Sequence, residues 1–408
     1  MTKRVVITGT GIISSLGNNW AQFSSNLKNK VSGIRYMHDW DSFTELNTRL
    51  AGPVLDFEKP AHYTRKQTRT MSRVSLMSTR ATEIALTESN LLGDPVLSSG
   101  DMGISYGSST GSVDATKEFS NMLTHNNVGD ITATSYIRMM GHTAPVNVGV
   151  FFGIKGRIIT TSSACTSGSQ GIGYAYEAIK YGRQKLMVAG GAEELSVSEA
   201  VVFDTLYATS TKNSTPHLTP SPFDQQRDGL VIGEGAGTLI LEELEHARAR
   251  GATILAEIVG FGTNSDGGHV TQPESDNMCR AMQLALQDAA LDKEAIGYIN
   301  AHGTATERGD IAESQASYAL FGNNTPISTL KGNLGHTLGA CGAIEAWASI
   351  NMMNENWFTP TLNLTTPDEQ CGDLDYIIDN GRTLQCEHVM SNNFAFGGIN
   401  TSLIFKRW

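Results

Sequence analysis

RIITTSSACTSGSQGIGYAYEAI, residues 157–179, joins a β-branched apolar run to a helical repeat through a turn of small residues around Cys165. Ile172, Ala175, Tyr176 and Ile179 recur at i, i+3, i+4 and i+7, which gives the predicted helix a core-facing stripe. A second stretch, PISTLKGNLGHTLGACGAIEAWASI at 326–350, repeats the pattern and places His336 where the first has Cys165. Two such strand–turn–helix segments point to an internal duplication. VVITGTG near the start and EIVGFGT near 257–263 match more loosely, so the expected halves are 1–250 and 251–408. Helix-like and apolar strand-like segments alternate throughout, the pattern of an α/β fold with a mainly parallel, covered sheet. Val5, Val6 and Ile7, followed by Gly9 and Gly11, read as a buried strand ending in a tight turn. A dinucleotide fingerprint is not complete there, because Ser14 stands where the third glycine belongs.

Composition narrows the class. The chain has 408 residues, 40% of them hydrophobic, enough for a large buried core. Five widely spaced cysteines (Cys165, Cys279, Cys341, Cys371, Cys386) form no C-x-x-C pair, which favours a reducing, cytoplasmic setting over a disulfide framework. The opening MTKRVVITGTG lacks the apolar stretch of a secretory signal, and no apolar run is long enough to span a membrane. A net charge of −11 opposes nucleic-acid binding. One local exception is HYTRKQTRTMSRVSLMSTR at 62–80, which carries five basic residues and no acid. On a helix, Arg65, Arg69 and Arg73 would form one positive stripe beside Lys66.

The chemistry concentrates at strand ends. Cys165 falls before a helix, where unpaired N–H groups and the helix dipole would lower its pKa and make it a nucleophile. The other four cysteines read as small buried hydrophobes. His302 lies in YINAHGTATERGD at 298–310, at the end of an apolar strand, and His336 follows Lys331 by five residues. A zinc site would need a close ligand pair, which the spacing does not supply. A Cys-His hydrolase would leave the second histidine and Lys331 without a role.

ACTSG around Cys165, AHGTAT around His302, KGNLGHTLGA at 331–340, NNFAFGGIN at 392–400 and FDQQRDGLVIGEGAG at 223–237 together resemble the elongating β-ketoacyl-carrier-protein synthases of fatty-acid and polyketide assembly. They occur in that family's order over essentially the whole chain. The resemblance implies the thiolase fold, two pseudo-duplicated α/β halves in a five-layered αβαβα body. It implies that Cys165 takes an acyl group from a carrier protein and that decarboxylation of malonyl-carrier protein supplies the attacking carbanion. Cys165, His302, His336, Lys331, Phe396 and Glu345 are the implied catalytic set, with Phe396 as the gate and the amides of Cys165 and Phe396 as the oxyanion hole. Thr304, Thr306, Thr110 and Phe394 would line the path of the substrate and its phosphopantetheine arm. Arg65, Lys66, Arg69 and Arg73 would dock the acidic acyl carrier protein. No resident cofactor or metal is implied. The family also implies a homodimer built through the segment with Tyr136, Arg138, Met139 and Met140, and it admits a heterodimer with a cysteine-lacking paralogue.

Several positions depart from the pattern. Ala395 and Ile399 replace a glycine and a threonine of the gate loop, and a β-carbon at 395 would restrict the backbone. Thr110, expected at the mouth of the acyl tunnel, would favour a polar, unsaturated or aromatic chain, and Arg308 is an unusual group beside the cleft. A degradative thiolase would carry its cysteine earlier and a second in C-x-G, and a starter-unit synthase would pair cysteine with histidine and asparagine. The competing reading is a catalytically silent, carrier-binding partner subunit.

Overall fold

Gly9 and Gly11 do not end the first strand. In the computed structural model, which describes residues 2–408, β1 continues through both glycines over Val5–Ile13, with one register shift against its neighbour between Ile7 and Gly9. Their purpose is close approach. A Cβ on Gly9 would lie 2.3 Å from the Ala85 carbonyl oxygen, and one on Gly11 2.0 Å from that of Ala81. Both carbonyls belong to helix α1 (Arg73–Glu88), which lies against β1. The other half repeats the device. Strand β6 (Ala256–Ser265) carries Gly260 and Gly262, whose Cβ atoms would meet the carbonyls of Ala285 and Ala281 at 2.4 and 2.1 Å. The G-x-G pairs visible in sequence therefore mark where a helix seats on a strand.

The remaining strands of the main sheet are β2 (Met102–Gly107), β3 (Ile158–Thr161), β4 (Leu186–Glu193), β5 (Gly235–Glu243), β7 (Ile296–Asn300), β8 (Pro326–Ser328), β9 (Asp375–Tyr376), β10 (His388–Ala395) and β11 (Ile399–Arg407). Their order across the sheet is β9-β8-β7-β10-β11-β6-β1-β5-β4-β2-β3. From the centre outward, β1-β5-β4-β2-β3 on one side mirrors β6-β11-β10-β7-β8 on the other, so one topology occurs twice. The halves join where β1 and β6 pair antiparallel, Val5 opposite Ile258 and Ile7 opposite Ala256. Within each half the sheet is mixed, with β2, β3 and β4 parallel and β5 antiparallel to its neighbours.

Helices α2 (Ser167–Lys180) and α6 (Cys341–Glu355) form the central layer, each touching strands of both halves and the other helix. Outside lie α1 on one half and α4 (Ser275–Ala289) on the other, completing five layers. Every residue of β1, β4 and β10 is buried, as strands covered on both faces must be. Ile172, Ala175, Tyr176 and Ile179 are all buried, and Tyr176 satisfies its hydroxyl by donating to the Val259 carbonyl. Among the described residues no helix is long and apolar enough to cross a membrane.

The basic segment at 62–80 is not one helix. A short turn at Arg65–Thr68 ends near Arg69, and α1 begins afresh at Arg73. Arg65, Lys66 and Arg69 are exposed. Arg73 corrects the sequence reading: it forms a bidentate pair with buried Glu234, Nε and Nη2 each 2.7 Å from a carboxylate oxygen. Its charge is committed inward, so it leaves the docking set.

Candidate active site

Strand β3 hands the chain to α2 through a tight 3-10 turn, Ala164–Thr166. Ala164 adopts φ 49°, a left-handed conformation that costs a non-glycine residue about 1 kcal/mol or more. This bend turns Cys165 into a cleft of about 580 Å³ lined also by His302, His336, Thr304, Thr306, Phe394, Phe396 and Arg308. The equivalent junction in the other half bends at Leu338, φ 46°, and precedes α6.

His336 Nε2 lies 2.9 Å from Cys165 Sγ. Its backbone is pinned on both sides, the N–H donating to Val231 and the carbonyl accepting from Gly233. The His302 ring stands nearly perpendicular to that of His336 at 5.1 Å, with Phe394 beside it at 6.3 Å. Backbone N–H groups of His302 and Gly303 both donate to Glu313, at 2.7 Å each, which fixes the loop after β7. Behind His302 lies Lys331, whose Nζ donates to the His302 carbonyl at 2.7 Å and to Glu345 at 2.5 Å and stands 3.3 Å from His302 Nδ1. Asn393 bridges the same group, donating to Glu345 at 2.7 Å and lying 3.4 Å from His302 Nδ1.

These contacts assign a tautomer. Lysine and the asparagine NH₂ only donate, so His302 Nδ1 accepts and Nε2 carries the proton toward the cleft. Burial holds both imidazoles well below their ordinary pKa, and the Lys331 charge adds to the effect. Both rings are therefore neutral near pH 7. For Lys331, burial works against the ammonium, but the neighbouring Glu345 outweighs it and keeps the lysine charged.

Cys165 departs from the sequence expectation. Burial pushes its thiol up to about 11, although the amides of Phe396 and Cys165 and the charge of Lys331 pull the other way. A turn before a helix does lend positive potential, but full desolvation of the thiolate is the larger effect. At rest the sulfur is a neutral thiol, and His336 Nε2 is placed to take its proton as it attacks. The donor atoms of Cys165, His302 and His336 do lie within 4.8 Å of one another, a proximity the sequence spacing hid. The ammonium of Lys331, 3.3 Å from His302, argues electrostatically against a resident cation there.

Other expected residues scatter. Thr304 and Thr306 line the cleft with hydroxyls 2.9 Å apart, and Ala305 between them has φ 64°. Phe396 is half-buried, edge-on at 5.8 Å to Phe203 of helix α3 (Val197–Asp204). Ala395 sits in regular strand pairing opposite Ile399, and the left-handed positions are Gly397 and Gly398, so the β-carbon at 395 meets no backbone conflict. Arg308 is exposed at the cleft wall. Thr110 is not among the residues that line this cleft, and its hydroxyl lies 3.1 Å from Glu199 and 3.3 Å from Glu193. Tyr136 is exposed, and Arg138 pairs with Glu118 at 2.8 Å. Sequence reasoning missed Glu313, Asn393 and Cys341. Asn393 lay inside a quoted motif, and Glu313 follows Asp310 by three residues, one turn along helix α5 (Glu307–Phe321).

A thiol, a base against it, a second neutral imidazole and two converging amides at the floor of a narrow cleft define a site for acyl transfer through a thioester. Comparison with known proteins carries this further. The family described as "Beta-ketoacyl synthase, N-terminal domain" matches residues 2–247, and its C-terminal domain matches 255–365. The chain belongs to the β-ketoacyl synthase family. It is 35% identical to the 3-oxoacyl-[acyl-carrier-protein] synthase 2 of Vibrio harveyi over 412 residues, covering 99% of each chain. Among solved structures, a beta-ketoacyl synthase from Burkholderia phymatum STM815 superposes with TM-score 0.98 at 60% identity, and the ishigamide ketosynthase/chain length factor with TM-score 0.90 at 29%, each covering both chains fully.

Proposed function

We propose that this chain is an elongating synthase in which Cys165 accepts an acyl group from an acyl carrier protein and condenses it with malonyl-carrier protein. The observation that carries the reading is His336 Nε2 at 2.9 Å from Cys165 Sγ, beside a His302 whose Nε2–H points into the cleft. In the first half-reaction the sulfur attacks the acyl thioester, its proton passes through His336 to the departing carrier thiol, and the amides of Cys165 and Phe396 hold the oxyanion. In the second, malonyl-carrier protein loses carbon dioxide, and the enolate oxygen is held by the Nε2–H of His302 and by His336. Once Cys165 is acylated, His336 Nε2 no longer faces a thiol proton and is free to carry the ring's single N–H, since no partner among the described residues fixes Nδ1. The carbanion then attacks the acyl carbon, the C–S bond to Cys165 breaks with the sulfur leaving as thiolate, a proton from water reaches that sulfur through His336 to restore the thiol, and β-ketoacyl-carrier protein leaves.

Lys331 and Glu345 are positioning residues, setting the His302 tautomer and its electrostatic surroundings. Thr304 and Thr306 would hydrogen-bond the phosphopantetheine amides, and Phe394 and Phe396 would shape the path to sulfur, Phe396 moving away from Phe203 between half-reactions. Exposed Arg65, Lys66 and Arg69 would steer an acidic carrier protein. The cycle calls for no resident cofactor. A homodimer in the cytoplasm is the expected working form, and the match to a ketosynthase/chain length factor supports the heterodimeric variant as well.

The test is intact-protein mass spectrometry after mixing the enzyme with a panel of acyl-carrier proteins, then malonyl-carrier protein, with Cys165→Ala as control. Adducts on the wild type alone that disappear as β-ketoacyl product forms are expected. If nothing loads on Cys165, the silent-partner reading replaces this one.

A further inference from the structure

Cys341 takes no part in the condensation, yet it is packed against the nucleophile. As the first residue of α6 it is buried, and its Sγ donates to the Cys165 carbonyl oxygen at 3.1 Å. Cys165, Cys341 and Ala395 form a small apolar cluster of their own. The two sulfurs also share His302 as a neighbour, each lying within 4.8 Å of one of its ring nitrogens. Cys279, Cys371 and Cys386 pack in other parts of the core.

Access differs between the pair. Cys165 opens onto the cleft, whereas Cys341 is not among the residues that line it. A small solute entering the cleft therefore meets Cys165 first, and Cys341 reaches that sulfur only through the protein. Cys165, neutral at rest, can react by giving its proton to His336 at 2.9 Å, and a second thiol stands behind it to resolve the product.

We propose that Cys341 is a resolving cysteine, and that oxidation of Cys165 by a hydroperoxide closes an intrachain Cys165–Cys341 disulfide that reversibly blocks the acyl site. The inference rests on the reading of Cys165 as a reactive thiol open to the cleft. Cys165 sulfur, giving its proton to His336, attacks one oxygen of hydrogen peroxide. The O–O bond breaks, Cys165 becomes a sulfenic acid, and the released hydroxide takes the proton as water. Cys341 sulfur then attacks the sulfenic sulfur, the S–O bond breaks, and the hydroxide leaves as water with the Cys341 proton. Two thiols and one peroxide yield one disulfide and two waters. Trapping the sulfenic acid this way keeps Cys165 from irreversible sulfinic oxidation.

The experiment treats the full-length enzyme with hydrogen peroxide, blocks free thiols under denaturing conditions, and maps peptides by mass spectrometry before and after dithiothreitol. Acyl loading is measured in parallel. Expected are a cross-linked peptide pair containing Cys165 and Cys341 with a mass loss of about 2 Da, and loading that disappears and then returns with reductant. Cys341→Ser should instead gain about 32 Da at Cys165 as sulfinic acid and not recover loading. The proposal is overturned if Cys341 in the wild type stays fully alkylatable while Cys165 is oxidised, or if peroxide leaves both thiols free in an enzyme that loads acyl groups. Should the serine variant not fold, the wild-type peptide map decides alone. Failure of the reduced enzyme to load acyl groups at all would sink the condensing reading instead, so the two failures are separable.

Discussion

The two strand–turn–helix junctions of the duplicated scaffold are built alike and used differently. Each bends through a left-handed non-glycine residue, Ala164 or Leu338, into a short 3-10 turn and then a buried central helix. Counting from that bend, Cys165 in one junction corresponds to Gly339 in the other and not, as the sequence pattern implied, to His336, which lies two residues before the bend. Gly339 has no room for a side chain, since a Cβ would lie 2.8 Å from the Ser109 backbone nitrogen and 2.6 Å from the Glu193 carboxylate, and its N–H donates to that carboxylate at 3.0 Å. The surrounding charges diverge as well. Around Thr110 the first half buries Glu193, Glu194 and Glu199, with burial pushing Glu194 up to about 6 and Glu199 well above the usual carboxylate range. The second half supplies Lys331, His302 and His336. Duplication provides two strained turns, and only their polar surroundings decide which bears the nucleophile and which bears its helpers.

The sharpest way to break this comparison is Cys165→Ala, which should lower condensation by at least about 10³-fold in a carrier-protein product assay while the fold persists. A smaller loss would move the chemistry elsewhere. His302→Ala should cost about 10²- to 10³-fold in malonyl decarboxylation, the usual effect of removing one oxyanion donor, with acyl loading on Cys165 largely kept. His336→Ala should impair both steps, because only His336 touches the sulfur. Equal behaviour of the two variants would contradict the assigned division of labour.

The buried ion pair gives the next effect. Lys331→Met alone should lower unfolding stability by about 3–5 kcal/mol in denaturant titration, because Glu345 would be left buried without its counter-charge. Lys331→Met combined with Glu345→Leu should recover much of that loss while activity stays low. Arg73→Gln, at a pair whose arginine is partly exposed and whose Glu234 is buried, should cost only about 1–3 kcal/mol and leave carrier affinity unchanged.

Two pH effects have opposite signs. His302 and His336 have folded pKa values below their unfolded ones, so the unfolded chain binds more protons near and below pH ~6.5. Their contribution to stability is complete above that value and is lost as pH falls from it toward the lower folded pKa values. Glu313, pushed up to about 8 by burial, binds its proton more readily when folded, so its contribution fades as pH rises from the ordinary carboxylate range toward 8. Replacing Glu313 by Gln should remove that second slope from a stability–pH series. Iodoacetamide should alkylate Cys165 at a rate that climbs toward pH ~11 instead of levelling near 8.5, the ordinary thiol value. The smallest effects belong to the surface: reversing Arg65, Lys66 or Arg69 singly should raise the KM for carrier substrates about 2- to 5-fold, less at high salt.

The sequence by itself determined the class. The paired segments around Cys165 and His336, the apolar stripe through Ile172 and Ile179, and the ordered motifs were enough for an α/β duplication with a Cys-His-His site. Those signals are local, carried by residue type and spacing within a single turn or helix. Whatever depended on distance through space was decided by the tertiary structure. Arg73 looked like surface charge until Glu234, 161 residues away, took it inward. Gly9 and Gly11 looked like a turn until α1 lay over them. The thiol pKa rose because burial is a property of the packed body, and the turn sequence alone conveys only the favourable dipole. Cys341 looked inert for the same reason: its neighbour in space, Cys165, stands 176 residues back along the chain.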